Sequence, residues 1–298
     1  MPAIRTTGLT KRYGAIRALD GLDLEVQDGE VFGFLGPNGA GKSTAIRLIL
    51  GFLHPTAGSG QVFGHDIVTA SVAIRQRIGY LPGGIAFYDT LTGLEHLDFL
   101  ARLNRRLPTR RAELCDRLEL PARTLSRVVR DYSRGMRQKL GIVQALQHDP
   151  ELAVLDEPSE GLDPLMQRAF YAILEQLKRE GRTVFFSSHV LSEVERVCDR
   201  VAIIRGGRLA AVEEIARLRT RRWRNVTVQF DGGGAPPLDN VAGVSDVEVR
   251  GNRMTCRVSG DIGPFLAALT QLRVVDLTIE VPRLEEAFLD FYDDRAMT

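Results

Sequence analysis

The chain has 298 residues, of which 44% are hydrophobic and 26% are charged, and its formal net charge at pH 7 is +1. This length predicts one large domain with a small appendage, and the composition is that of a globular protein with enough apolar material for a core. The near-zero net charge argues against an electrostatically driven binder of nucleic acid. No apolar run is long enough to span a bilayer, so work at a membrane would require spanning helices from another chain.

The three cysteines, Cys115, Cys198 and Cys256, lie far apart in the sequence. Their spacing excludes a zinc site made by neighbouring cysteines and indicates a reducing compartment. The first residues contain no apolar stretch of signal-peptide length, which favours a cytoplasmic chain.

The N-terminal segment predicts strands followed by a loop and a helix. Gly21–Val26 alternates apolar and polar side chains, and Glu30–Leu35 is a short apolar run. A glycine-rich loop follows, and Lys42–Leu53 then has the periodicity of a buried helix. This order opens an α/β domain.

Residues 84–150 carry apolar side chains at helical spacing and predict an inserted helical subdomain. Beyond it, short apolar strands alternate with helices, which implies a mostly parallel sheet covered on both faces. In chain order these elements are Leu152–Leu155, Leu165–Arg179, Thr183–Ser187, Leu191–Val197 and Val201–Arg205.

The basic stretch Arg217–Arg224 reads as a solvated helix end or linker. After it the pattern changes to exposed strands and short helices, so we expect a large α/β domain over residues 1–220 and a small α+β domain over residues 221–298. The predicted elements of the small domain are Asn225–Phe230, Asp246–Arg250, Met254–Val258, Asp261–Leu272, Val274–Glu280 and Leu284–Tyr292.

The glycine-rich loop fits the phosphate-binding pattern G-x-x-x-x-G-K-[ST], with a strand before it and a helix after it. Its glycines allow backbone N–H groups to approach phosphates, and the helix N-terminus adds partial positive charge. We expect Lys42 to reach the β- and γ-phosphates of ATP and the Ser43 hydroxyl to ligate Mg²⁺. The nucleotide-binding residues are Gly36, Pro37, Asn38, Gly39, Ala40, Gly41, Lys42, Ser43 and Thr44.

Two carboxylates, Asp156 and Glu157, end the apolar strand that begins at Leu152. Two acids after a strand alone are often a helix cap, but Pro158 favours a turn. At the carboxyl edge of a parallel sheet, Asp156 is placed to hold Mg²⁺ and Glu157 to activate water.

With these motifs the chain resembles the ABC ATPases over about residues 4–217. Residues 156–163 resemble the acidic strand end joined to the D-loop, which includes Asp163, and residues 131–138 resemble the family signature. Ser187-Ser188-His189 is similar to the switch-histidine element, and Tyr13 stands where the family places the aromatic residue that stacks on adenine. The resemblance implies a P-loop ABC ATPase core with a mixed sheet and catalytic roles for Glu157, His189 and Lys42.

The signature has a physical interpretation of its own. Ser133 can cap the helix that follows, and Gly135 leaves the backbone open, so a second helix N-terminus faces an anion. In the family that anion is the γ-phosphate held by the opposite subunit, so Ser133, Gly135 and Met136 are expected to bind the nucleotide of a second copy. Function would then require a head-to-tail dimer.

The chain departs from the usual family pattern at several positions. Arg134 and Met136 replace the Gly and Gln of the best-known signature, which is similar to a variant common among bacterial exporters. Gly83 and Gly84 stand where most relatives carry Gln or Glu, and we expect a water or a nearby polar residue such as Asp89 to substitute. Glu160 replaces the usual D-loop Ser.

The segment Arg283–Leu289 resembles the closing helix of accessory domains in type-two ABC exporter ATPases. The resemblance implies an ATP hydrolase that powers a bacterial exporter through a separate transmembrane permease, on the inner face of the cell membrane, without nucleic acid. A non-transport ABC ATPase acting on ribosomes or DNA is an alternative, and so is an ATP-binding regulatory module with little turnover.

Overall fold

The computed structural model describes residues 1–220, 223–231, 238, 241–270 and 273–280. The chain divides into two compact units, Met1–Glu213 and the part from Glu214 onward. This division falls slightly before the boundary expected after residue 220, because the short helix Ile215–Thr220 belongs to the second unit. Within the described ranges, no helix has the length and apolar character needed to cross a membrane.

The strands of the first unit form two sheets. One is antiparallel, with the order β2-β1-β4-β5, and the other has the order β10-β9-β3-β8-β7-β6. The bounds are β1 (Ile4–Tyr13), β2 (Ile16–Val26), β3 (Val31–Leu35), β4 (Ala57–Val62), β5 (His65–Asp66), β6 (Ile78–Leu81), β7 (Leu152–Asp156), β8 (Thr183–Ser188), β9 (Arg200–Arg205) and β10 (Arg208–Glu214).

The helices of the first unit cover the sheets and fill residues 84–150, where the periodicity predicts them. A 3₁₀ turn at Val129–Asp131 lies between two of them. The bounds are α1 (Lys42–Ile49), α2 (Ser71–Arg77), α3 (Gly93–Asn104), α4 (Arg111–Arg117), α5 (Ala122–Leu125), α6 (Arg134–Leu146), α7 (Pro164–Arg179) and α8 (Leu191–Val197).

The larger sheet is parallel from β9 to β6, and its strands are almost entirely buried, as is usual for a sheet covered on both faces. The edge strand β10 follows β9 after the two residues Gly206-Gly207, a connection short enough only for an antiparallel pair. The predicted mixed sheet is therefore confirmed. Register places Leu35 beside Ser188 and Asp156 beside Ser187, so the loops after β3, β7 and β8 meet at one edge.

Helix α1 ends at Ile49, so the predicted extension to Leu53 is wrong. The cause is Gly51, whose φ angle is 66°. A Cβ atom there would lie 2.4 Å from the Cβ of Ser71 and 2.7 Å from the carbonyl oxygen of Ile67. A glycine with positive φ just after the last turn is a common helix stop.

The second unit contains helix α9 (Ile215–Thr220), helix α10 (Gly263–Leu269) and an antiparallel sheet of order β12-β13-β11-β14. Its core joins alternate residues of the sheet to Phe265 and Leu269 of α10. The predicted helix Asp261–Leu272 is longer than the observed one, which begins at Gly263 and ends at Leu269 with Thr270 in a turn. The strands are β11 (Trp223–Phe230), β12 (Val244–Arg250), β13 (Arg253–Ser259) and β14 (Val274–Glu280).

Two predictions for the C-terminal part fall outside the described residues. These are the helix predicted at Leu284–Tyr292 and the resemblance to an accessory-domain closing helix at Arg283–Leu289. The basic stretch Arg217–Arg224 is described only in part, since residues 221 and 222 are outside the ranges given above.

Candidate functional site

The predicted phosphate loop turns sharply between β3 and α1. Gly39 and Gly41 have φ angles of 81° and 107°, and a Cβ at Gly41 would lie 2.6 Å from the carbonyl oxygen of Ala18. The turn lets Lys42 Nζ donate a hydrogen bond to the Gly36 carbonyl oxygen at 2.6 Å. Among the described residues no side chain caps the start of α1, so its first N–H groups can receive an anion.

A cavity of about 410 Å³ lies beside this loop at the carboxyl edge of the parallel sheet. It brings together most of the predicted phosphate-loop residues with Asp156 and Glu157. Gly36 and Ala40 of the same loop are buried and are not among the lining residues, and their predicted contact with nucleotide stays a prediction. The lining residues are Ala18, Pro37, Asn38, Gly39, Gly41, Lys42, Ser43, Thr44, Arg47, Tyr80, Pro82, Gly83, Gly84, Asp156 and Glu157.

Asp156 is the last residue of β7 and is only 4% exposed. Its Oδ2 accepts a hydrogen bond from Ser43 Oγ at 2.9 Å, and its Oδ1 accepts one from Ser187 Oγ at 2.5 Å. Ser43 and Asp156 therefore present neighbouring hard oxygen donors on the cavity wall. Such donors suit Mg²⁺, which binds through one or two protein ligands, phosphate oxygens and water.

Glu157 lies between two basic side chains. Lys42 Nζ is 3.1 Å from its Oε1, and His189 Nδ1 is 2.8 Å from its Oε2. The backbone N–H of Glu157 donates to the carbonyl oxygen and the hydroxyl of Ser187, both at 3.2 Å. Glu157 has a φ angle of 51°, a conformation that costs free energy for a residue with a side chain and is concentrated at functional sites.

Gly83 and Gly84 complete the cavity wall opposite the phosphate loop. A Cβ at Gly83 would lie 3.3 Å from Asp156 Oδ2, so the absent side chain leaves space directly beside that carboxylate. Asp89, named as a substitute for the missing polar side chain, does not line the cavity and instead pairs with Arg137 at 3.1 Å. The geometry therefore favours water over Asp89 at this position.

Tyr80 is a polar residue of this wall that the sequence analysis did not identify. Burial, and secondarily the nearby charge of Asp156, raise the pKa of Tyr80 to about 12. Tyr80 therefore adds a neutral phenol to the cavity lining.

The signature residues lie apart from this cavity. Ser133 is exposed and caps α6, with its Oγ accepting from the Met136 N–H at 3.2 Å. Gly135 packs close to the D-loop, because a Cβ there would lie 3.1 Å from the carbonyl oxygen of Gly161. Asp163 caps α7 by accepting from the N–H groups of Leu165 and Met166 at 3.0 Å and 2.9 Å, as aspartates at helix starts commonly do.

Two departures from the family pattern contact each other. Arg134 of the signature forms an ion pair with Glu160 of the D-loop. The Arg134 side chain also lies across Gly161, where a Cβ would be 3.2 Å from its Cγ. Gln138 Nε2 donates to the Pro158 carbonyl oxygen at 2.7 Å. The start of α6 and the D-loop are therefore linked within one subunit.

Tyr13 is the last residue of β1 and is 46% exposed. Lys11 Nζ lies 5.3 Å from the centre of its ring. Tyr13 is not among the described residues that line the cavity, so its contact with adenine stays a prediction.

Two residues of the cavity lining, Arg47 and Ala18, were not predicted from the sequence. Ser187 was predicted only as part of the switch-histidine element, and its hydrogen bond to Asp156 was not foreseen. The sequence places Ser187 near the end of a predicted strand, but its contact with Asp156 depends on the register of β7 against β8. Arg47 follows Lys42 on α1 and gives no separate signal in the sequence.

The chain is similar in sequence and fold to known proteins. The sequence profile of a family described as ABC transporter matches residues 19–160. The daunorubicin resistance ATP-binding protein DrrA3 of Streptomyces coeruleorubidus is 36% identical over 98% of this chain and 96% of its own length. The bacitracin transport ATP-binding protein BcrA of Bacillus licheniformis is 41% identical over 76% of this chain and 74% of its own.

A solved structure of an ATP-binding subunit of an ABC transporter has the same fold, with a TM-score of 0.66 and 32% identity. The match covers 73% of this chain and 92% of that chain. Together with the phosphate loop, the acidic strand end and the capped signature helix, these similarities establish the family. The chain belongs to the ATP-binding subunits of ABC transporters, which bind and hydrolyse ATP.

Proposed function

We propose that this chain powers a membrane exporter by binding MgATP between two copies of itself and hydrolysing it. The observation that carries the proposal is the position of Glu157, whose carboxylate lies between Lys42 and His189 and next to the Ser43–Asp156 pair. A base, the ammonium of Lys42 and a pair of hard oxygen donors thus line one cavity, and His189 contacts the base from outside the described lining. These are the groups that the transfer of a phosphoryl group to water requires.

The phosphate loop holds the triphosphate through its backbone N–H groups and the ammonium of Lys42. Phosphate oxygens compete with Glu157 for Lys42, so nucleotide binding frees one carboxylate oxygen to face the attacking water. Ser43 and Asp156 would hold Mg²⁺, Asp156 through a water, and the metal would neutralise charge on the phosphates.

Glu157 accepts a proton from water as the water oxygen bonds to the γ-phosphorus and the bond to the β-phosphate oxygen breaks. His189 is hydrogen-bonded to Glu157, and it would hold the γ-phosphate and orient the water. Lys42 stabilises the negative charge that develops on the transferred group.

The second copy would supply Ser133, Gly135 and Met136 to the γ-phosphate, in a head-to-tail dimer. This explains why Ser133 is exposed and lies outside the cavity of its own subunit. Asp163 would lie at the same interface, and Tyr13 would stack on adenine at the open side of the site.

The names of the relatives support a role in export. DrrA3 is named for daunorubicin resistance and BcrA for bacitracin transport. By analogy, this chain would work on the inner face of the cell membrane with a separate permease subunit. Its ATP hydrolysis would power the export of a drug or antibiotic. Residues 1–220 would form the ATPase domain and residues 221–298 an accessory domain.

The experiment compares ATP hydrolysis and ATP binding by the full chain and two variants. We expect Glu157→Gln to lose turnover by about 100-fold or more, the usual contribution of a general base, while it still binds ATP. Glu175→Gln changes an exposed carboxylate on α7 and serves as the matched control. Near-normal hydrolysis by Glu157→Gln would remove Glu157 from the proposed role.

A further inference from the structure

A carboxylate outside the cavity connects the two loops that carry Glu157 and His189. Glu193 lies in the first turn of α8. Its Oε1 accepts a hydrogen bond from Ser159 Oγ at 2.6 Å, and its Oε2 accepts one from Ser188 Oγ at 2.8 Å. The two oxygens of one side chain thus bind two different segments.

Both serines lie close in sequence to Glu157 and His189, the residues proposed to act on the attacking water. Ser159 is two residues after Glu157, and Ser188 immediately precedes His189. Both serines are buried, being 5% and 0% exposed. Glu193 itself is half-buried, but the two buried hydroxyls are costly to leave unpaired, so its carboxylate restrains both loops.

The bonds of Ser188 extend this restraint. Its hydroxyl accepts from the Val190 N–H at 2.9 Å, which fixes the backbone on the other side of His189. Its carbonyl oxygen accepts from the Gly36 N–H at 3.3 Å, at the start of the phosphate loop. A shift of Ser188 would therefore move the backbone that carries His189.

Helix α8, which carries Glu193, packs tightly on the central sheet. A Cβ at Gly33 of β3 would lie only 2.6 Å from Val194 Cγ1 and 3.0 Å from Cys198 Sγ, so α8 packs closely on the central sheet. The phenol of Tyr171 on α7 also interacts with Glu193, and burial followed by the charge of Glu193 raises its pKa. The Glu193 carboxylate is thus held by its own helix α8 and by Tyr171 of α7, and neither helix contributes a residue to the cavity lining.

The geometry points to Glu193 as a positioning residue, which holds the loops after β7 and β8 so that His189 Nδ1 stays on Glu157. This inference rests on the proposed function, because it acts through the roles of those two residues. Glu193 does not line the cavity. Its loss should therefore slow turnover more than it weakens ATP binding.

The test is a double-mutant cycle on the full chain, with hydrolysis measured across ATP concentrations. Glu193→Gln keeps the shape of the side chain but replaces one acceptor by a donor. We expect it to lower kcat about tenfold, since small misplacements of catalytic groups have effects of this size or larger. KM for ATP should change by less than about twofold, because uniform binding is intact.

His189→Ala should lower kcat by about 100-fold, and adding Glu193→Gln should then cause little further loss, since both changes act on one contact. Independent, multiplicative losses would overturn the inference. The matched control Glu175→Gln should behave like the wild type.

The cycle separates two kinds of failure. If His189→Ala loses turnover and Glu193→Gln does not, only the positioning role falls. If His189→Ala hydrolyses ATP normally, the proposed role of His189 falls, and the positioning role falls with it.

Hydrogen exchange gives a readout that does not depend on hydrolysis. Exchange of the Val190 N–H should be faster in Glu193→Gln, because the hydroxyl that it binds has lost its own partner. Ser188→Ala removes the bond to Glu193 together with the acceptor of the Val190 N–H, so only its kinetics test the proposal. It should give the same kinetic pattern if Glu193→Gln folds poorly. Unchanged exchange at Val190 in Glu193→Gln, together with unchanged kcat in both variants, would contradict the proposal.

Discussion

Glu157 shows how the proposed catalytic arrangement depends on a few atoms. Its carboxylate contacts Lys42 at 3.1 Å and His189 at 2.8 Å, although the three residues come from separate segments of the chain. Motif spacing predicts each of them, because each follows a recognisable strand. The sequence does not predict that they contact one another, nor that Ser187 holds Asp156, because these contacts arise from the register of β3, β7 and β8.

Buried histidines of the first unit should make stability depend on pH. His148 is 7% exposed, and its Nε2 donates to the Ile78 carbonyl oxygen at 3.2 Å. Burial lowers the pKa of His148, and likewise that of His96. The unfolded chain therefore binds a proton more readily than the folded chain. The stabilisation is complete above the ordinary histidine pKa, near 6.5, and is lost as the pH falls below it.

We expect the Tm of the full chain to fall between pH 7.5 and pH 5.5, and to fall less in His148→Gln. Glutamine can still donate to Ile78 but does not titrate. The control is His54→Gln, since His54 is exposed. The same Tm loss in all three proteins would show that His148 is not responsible.

At the scale of elements, the position of α6 depends on a glycine of β6. A Cβ at Gly79 would lie 2.0 Å from the Ala145 carbonyl oxygen of α6 and 2.7 Å from Pro150 Cγ. The helix that begins at the signature therefore packs directly on the sheet that carries the cavity. The strands β3, β7 and β8 are predictable because they are uninterrupted apolar runs. The strands β4 and β5 are not, because β4 is glycine-rich and has no apolar run and β5 has only two residues. The contact at Gly79 is not predictable either, because it depends on how α6 packs on β6.

Gly79→Ala should destabilise the chain by roughly 1–3 kcal/mol, as overpacking of a tight core contact usually does. The measurement is denaturant unfolding of the full chain. Gly84→Ala is the control for stability, because a Cβ at Gly84 would meet no described atom within 4 Å. Equal unfolding curves for wild type and Gly79→Ala would mean that α6 can move away from β6 without cost.

At the scale of the whole molecule, the predicted site residues form two groups. One surrounds the cavity, and the other, at the start of α6, lies outside it with Ser133 exposed. The resemblance to ABC ATPases predicts this separation, because it assigns the second group to the nucleotide of another copy. The ion pair between Arg134 and Glu160 could not be foreseen, since each residue departs from the family pattern and their contact requires the folded D-loop.

The most direct test of the two-copy site is the mass of the 33.0 kDa chain in solution with MgATP, measured in the slowly hydrolysing Glu157→Gln background. Adding Ser133→Asp keeps a good cap for α6 but places a negative charge against the partner's γ-phosphate, whereas Ser133→Asn is an equally good, neutral cap. We predict an ATP-dependent dimer for Glu157→Gln alone and with Ser133→Asn, and a monomer that still binds ATP with Ser133→Asp. A monomer in all three proteins at saturating MgATP, or equal dimerisation of the Asp and Asn variants, would contradict the account.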